Sequence, residues 1–195
     1  MRRFRLAVLA LAAVMAALPA HAANKAAMAP VSAPVGQPDL ISFSSGYFDF
    51  DKSEPKTNSA DFRLEYRFGV SLLPKLSSYF SESDAAQLRP FLGFETTSRN
   101  LQFEHGGFNL DWNFAPHGIF TWQEAIGYLN SGDQRGLGGT MQFRSQAEAG
   151  YRFDNDMRLT AAFSHISNAK TTRFNPGAEI LGVYFHVPTQ AIFGH

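Results

Sequence analysis

Cysteine is absent from all 195 residues, which excludes disulfide scaffolds, thiolate zinc centres, iron–sulfur clusters and cysteine nucleophiles. Net charge is absent as well, since 17 basic residues balance 17 acidic ones. A nucleic-acid binder carries a basic face and a high pI, so the balance argues against nucleic acid as a partner. Long apolar runs are missing beyond Ala22: nothing there reaches the ~18 consecutive apolar residues of a membrane-crossing helix. The histidines are scattered too, and His21, His105, His117, His186 and His195 lack the spacing of metal ligands. No metal and no cofactor are expected. What the chain does have is aromatic mass, 14% with 19 phenylalanines, at a mean hydropathy of only −0.17. Large apolar side chains diluted by polar ones are what a period-two pattern produces.

The first segment reads as an address. Met1-Arg2-Arg3-Phe4-Arg5 is followed by an apolar stretch from Leu6 to Leu18 and by Ala20-His21-Ala22. Basic start, short apolar run and small-x-small site are the three parts of a secretory signal peptide, with removal expected after Ala22. An uncleaved anchor would need a longer apolar run. Residues 23 to 38 are rich in Ala and Pro, with Pro30, Pro34 and Pro38 spaced four apart, and read as an extended tether. The single domain is expected from Asp39 to His195, on a chain whose length suits one core.

Two segments alternate clearly. Phe62, Leu64, Tyr66, Phe68 and Val70 share one face of a strand, with Arg63, Glu65, Arg67 and Ser71 on the other. Met141, Phe143, Ala147, Ala149, Tyr151 and Phe153 likewise stand opposite Gln142, Arg144, Gln146, Glu148 and Arg152. Six further strands are drawn near 40 to 50, 88 to 97, 100 to 114, 117 to 129, 155 to 167 and 178 to 188. Several reach the ~9 to 11 residues that a tilted strand needs to cross a bilayer. Turn chemistry falls at Asp154-Asn155-Asp156 and Ala115-Pro116-His117, and the long 72 to 87 connection is expected to hold a short helix. The acidic turn lacks the Gly and distal Glu of a calcium loop. Gly136-Leu137-Gly138-Gly139 has no Lys-Ser or Lys-Thr after it, so it reads as loop and not as a phosphate cradle.

Two architectures bury such strands. A secreted, lipocalin-like barrel keeps the greasy face inside, and an outer-membrane barrel inverts it. Rows of Phe, Tyr, Leu and Met, with Trp112 and Trp122 near strand ends, favour the inverted form: an all-β, eight-stranded antiparallel up-and-down transmembrane barrel. Its interior would hold Arg63, Glu65, Arg67, Glu95, Arg144, Glu148 and Arg152 paired with one another.

One stretch carries chemistry. His165 and Ser167 lie two apart, hence on one face of a strand, and Glu179 begins the next strand after the loop. An imidazole suits the removal of a serine proton, and a carboxylate on its other nitrogen fixes the tautomer. By parity all three share the greasy face, where polar groups are costly unless used. With eight strands and both termini periplasmic, the loop from Ala169 to Gly177 is extracellular, so the set stands at the outer leaflet.

The segment Phe163-Ser164-His165-Ile166-Ser167-Asn168-Ala169, the Asn175-Pro176-Gly177 turn and Glu179 resemble the PagL family of lipid A 3-O-deacylases. The runs from Ala60 to Arg67 and from Glu148 to Asp154 also look like that family. The resemblance implies an eight-stranded barrel in the bacterial outer membrane with its active site on the lipid-facing wall, cutting the ester-linked acyl chain at position 3 of lipid A without a metal. It implies Ser167 as nucleophile, His165 as general base and Glu179 as its partner, with Asn168 and Asn175 as oxyanion-hole candidates helped by backbone N–H groups near Gly177. The partner is then lipopolysaccharide in the outer leaflet, and a homodimer through the wall is left open. A noncatalytic barrel of the adhesin or membrane-integrity kind, or an esterase of other membrane lipids, are the competing readings. Where outer-membrane barrels usually end on an aromatic residue, this chain continues past Val187 to His195.

Overall fold

The structure is a computed structural model and describes residues 37–51, 58–73, 86–114, 116–131 and 136–194. The signal peptide, nearly all of the tether, most of the 72 to 87 connection and Ala115 lie outside the described residues. Eight strands follow in order: β1 (Leu40–Phe48), β2 (Ser59–Arg67), β3 (Ala86–Thr97), β4 (Leu101–Phe114), β5 (Gly118–Ser131), β6 (Met141–Arg152), β7 (Arg158–Ser167) and β8 (Ala178–Pro188), then a single helical turn, α1 (Thr189–Phe193). Each strand pairs antiparallel with the next, and β1 pairs with β8 from Leu40↔Pro188 to Phe48↔Ile180, so the sheet closes. Closure leaves the sheet no open edge, which a hydrocarbon solvent requires. No helix among the described residues is long and apolar enough to cross a membrane.

The faces are inverted relative to a water-soluble barrel. Phe43, Leu64, Leu92, Phe108, Ile126 and Val183 point outward and are 48–60% exposed, while Arg67, Arg89, Arg144 and Arg158 are among the most deeply buried side chains. The lipocalin-like alternative needs the reverse and is overturned. Buried charge is tolerated only when it is paired and hydrogen-bonded, and here it is. Arg144 reaches Glu95 at 2.7 Å and Glu65 at 2.8 Å, Arg67 reaches Glu65 at 2.8 Å and Glu148 at 2.5 Å, and Arg63 reaches Asp61 at 2.8 Å and Glu95 at 3.1 Å. A second cluster sits lower: Asp111 accepts from both Arg89 and Arg158 at 3.0 Å. Arg152, expected inside, instead lies partly exposed at the end of β6, 3.9 Å from Asp156. It occupies the first rim position, where the chain is already turning.

The two rims differ. One holds the Pro116–His117 turn, the Asp154–Asp156 turn and both described ends of the chain. In the acidic turn Asp156 adopts φ 63° and its N–H donates to the Phe153 carbonyl at 3.0 Å, so this is a hairpin turn. Aromatic pairs ring that rim: Tyr66 with Phe68 at 4.9 Å, Trp112 with Phe114 at 5.9 Å, and Tyr151 with Phe153 at 5.1 Å. Such belts mark a membrane–water interface. Gln37 and Pro38, assigned by sequence to the tether, are already part of the barrel: the Pro38 carbonyl accepts from Arg89 at 2.8 Å and Gln37 accepts from Arg158. The opposite rim is closed from within by Phe48, Phe103, Leu129, Leu137, Ile166 and Ile180, packed into one apolar cluster.

Candidate active site

The closing strands bring His165 and Glu179 directly opposite each other across the β7–β8 ladder. Their side chains meet outside the barrel, with His165 Nδ1 3.1 Å from Glu179 Oε1 and the two side chains 46% and 30% exposed. Alternation forces this: Ser164, Ile166, Ala178 and Ile180 point inward and are buried, so their neighbours face lipid. Ser167 follows on the same outward face, two residues beyond His165. No hydrogen bond joins Ser167 to His165 here. A serine hydroxyl needs only a χ1 rotation to turn toward a neighbour, and such bonds commonly tighten only around substrate. Because Nδ1 faces the carboxylate, Nε2 is the nitrogen left for the serine proton.

Gly177 has a role that sequence reasoning did not find. Its φ is 63°, and a Cβ built there would stand 2.7 Å from His165 Cε1 and 3.3 Å from Nε2. The imidazole therefore rests on the space where a side chain would be. Gly177→Ala is expected to strain the turn and push the ring off Glu179, lowering turnover about 10-fold or more, since misplacement of a catalytic group by ~1 Å costs up to ~100-fold. Kinetics on the detergent-folded variant check this, and unchanged turnover would show the ring has room to spare.

The loop between β7 and β8 is built around Asn168. Its side chain is fully buried. Its Nδ2 donates to the carbonyls of Leu137 at 3.2 Å and Phe174 at 2.8 Å and to Thr172 Oγ1 at 2.8 Å, while its Oδ1 accepts the Lys170 N–H at 2.9 Å. Its backbone N–H donates to Asn175 Oδ1 at 3.1 Å. An oxyanion donor must point at the substrate, and every one of these groups points into the loop. Asn168 thus locks the loop and offers no donor to the wall, contrary to its place among the oxyanion candidates. Asn175 is different. A backbone N–H can only donate, so the contact fixes which end of the Asn175 amide is oxygen and leaves its NH2 directed away from Asn168.

The Gly136–Gly139 stretch is loop, as its sequence suggested, yet it serves the site. Thr172 Oγ1 donates to the Gly138 carbonyl at 2.6 Å, and Gly138, at φ 80°, would carry a Cβ only 1.9 Å from the Phe174 carbonyl oxygen. Two loops distant in sequence are thereby pressed together beneath the turn that carries Asn175 and Gly177. Sequence periodicity cannot see such a brace, because it depends on which loops share a rim.

The family described as Lipid A 3-O-deacylase (PagL) matches residues 46–188, a span that includes His165, Ser167 and Glu179. Among solved structures the chain is similar to the crystal structure of the outer membrane enzyme PagL, with TM-score 0.55 and 17% identity over 76% of this chain and 99% of that one. It is also similar to a de novo designed transmembrane β-barrel, with TM-score 0.50 and 16% identity over 78% and 99% of the two chains. At these identities the likeness to solved structures concerns the fold. No curated protein matches the sequence.

Proposed function

The chain belongs to the lipid A 3-O-deacylase (PagL) family, and from that membership we propose that Ser167, His165 and Glu179 are its catalytic triad and that the bond they cut is the ester at position 3 of lipid A. Membership makes the protein a hydrolase of the bacterial outer membrane. The observation that carries the finer reading is the His165–Glu179 pair, 3.1 Å apart on the lipid-facing side of the wall. A polar pair held there has no packing purpose, and it faces a substrate that lies in the membrane plane.

The chemistry follows from the placement of atoms. Ser167 Oγ attacks the acyl carbonyl carbon while His165 Nε2 takes its proton, and Glu179 stabilises the imidazolium through Nδ1. The oxyanion is met by Asn175 Nδ2. Collapse breaks the carbon–oxygen bond to the sugar, and the proton on Nε2 passes to the departing alkoxide. Water, deprotonated by the same nitrogen, then releases the fatty acid from Ser167. The loop bearing Asn175 lies on the rim opposite the short turns, which in outer-membrane barrels is the extracellular one. That rim meets the leaflet where lipid A resides. The residues flanking the triad, Phe163, Leu181 and Val183, are apolar and outward, a surface along which an acyl chain can lie.

Mass spectrometry of lipid A from cells making the chain tests the reading. Loss of one hydroxyacyl chain, at position 3, is expected. Loss of a different chain, or of fatty acids from glycerophospholipids alone, would replace the substrate assignment. On purified lipid A, Asn175→Ala should lower kcat about 100-fold or more with little change in KM, the cost of removing one oxyanion donor. Unchanged kcat would remove Asn175 from that role.

A further inference from the structure

Glu124 is a carboxylate on a wall made for lipid. It points outward from β5, exposed, between Trp122 and Ile126 on the same face and opposite Phe108 of β4. Charges on the lipid face of a barrel destabilise it, and Phe or Leu would serve the fold better. The carboxylate is nevertheless held in place: Oε1 accepts the Trp122 indole N–H at 2.8 Å, and Oε2 accepts the Ser145 hydroxyl at 2.8 Å.

Its position is fixed relative to the triad. Glu124 pairs with Ser145 across β5 and β6, Ser145 with His165 across β6 and β7, and His165 with Glu179 across β7 and β8. Four successive strands thus carry one lateral row of polar side chains, flanked on the same outer face by Trp122, Ile126, Phe143, Phe163 and Leu181. Glu124 is six residues from the start of β5 and His165 seven from the start of β7, so both stand at similar height above the aromatic rim. Two strand spacings, about 10 Å, separate them.

A carboxylate only accepts hydrogen bonds, and each oxygen here keeps a lone pair beyond the one engaged by Trp122 or Ser145. Its complement in a lipid is a hydroxyl or an amide N–H. Acylated saccharides with hydroxylated or amide-linked chains carry such donors at the level of their ester bonds. At that level a glycerophospholipid offers only ester carbonyls, which are acceptors. Resting on the deacylase reading above, we infer that Glu124 is a specificity-determining positioning residue, which grips a hydroxyl or amide donor of an acylated saccharide lipid while its ester lies at Ser167 and which disfavours lipids lacking such a donor.

The test uses the full chain folded in detergent, with lipid A and a diacyl glycerophospholipid as substrates and the rate of fluorophosphonate labelling of Ser167 as an independent report on the triad. Glu124→Ala should raise KM for lipid A about 10-fold with kcat within about twofold, because a site built to bind a donor loses that donor's bond. Its preference for lipid A over the glycerophospholipid should fall by the same factor, and Ser167 labelling should be unchanged. Glu124→Gln, which keeps an acceptor oxygen, should recover part of the loss. An unchanged KM and preference overturn the inference, and so does a parallel fall in Ser167 labelling, which would make Glu124 a support of the triad instead. Failure of the deacylase reading looks different: the wild-type protein would then neither label at Ser167 nor release acyl chains, whatever stands at 124.

Discussion

Ser167→Ala is expected to abolish release of the acyl chain from lipid A, a loss of about four to six orders of magnitude in kcat of the kind seen when a triad serine is removed. Alanine has no nucleophile, and what survives is the weak catalysis of an oxyanion donor with bound water. The barrel should be untouched. Ser167 lies on the outward face at the end of β7, and the buried loop contacts run through Asn168 instead. Heat-modifiable mobility on gels should therefore match the wild type while lipid A mass spectra show no product. Residues that act as one unit are not additive, so adding His165→Ala to this variant should cost nothing more. A Ser167→Ala protein that still deacylates lipid A would move the nucleophile elsewhere.

Arg144→Met should cost about 3 to 5 kcal/mol of folding stability, the range for removing one member of a buried ion pair. Arg144 is fully buried and bridges Glu65 and Glu95, at 2.8 Å and 2.7 Å. It also donates to Gln123 at 2.7 Å. Without it two carboxylates remain inside with only Arg67 and Arg63 to neutralise them, and the guanidinium's place is taken by a group that donates nothing. Urea titration of the refolded barrel should show the lower midpoint. Arg144→Lys keeps the charge but not the planar fork, and should fall between the two. Because Ser167, His165 and Glu179 lie on the other face of the wall, kcat of the folded fraction should hold. A wild-type midpoint in Arg144→Met would mean that the other arginines already balance the interior.

Much of this molecule was legible because lipid imposes a simple rule. Alternation over Phe62–Val70 and Met141–Phe153 announced strands with one greasy face, and the charges opposite announced an interior of ion pairs. Strand ends were less legible. Arg152 alternates correctly yet lies at the rim, because periodicity does not tell where a ladder stops and a turn begins. Arg89, Asp111 and Arg158 were overlooked as a cluster, since they come from three strands whose meeting depends on barrel closure. At the site, parity alone places His165, Ser167 and Glu179 on one outward face. Asn168 was not legible: its residue type suits an oxyanion donor, and only the surrounding carbonyls reveal that its amide is used up inside the loop. The same holds for Glu124, whose alignment with His165 is a matter of register between β5, β6 and β7, a quantity that sequence spacing does not contain.

The filled interior has a consequence for the cell envelope. From the Arg89–Asp111–Arg158 cluster through the Arg144 network to Leu137 and its apolar neighbours, the lumen offers no continuous aqueous path among the described residues. An ion entering it would have to pull apart salt bridges and then cross hydrocarbon. The protein therefore stands in the outer membrane without adding a pore to it, and more copies of it would not by themselves raise the leak of small hydrophilic solutes.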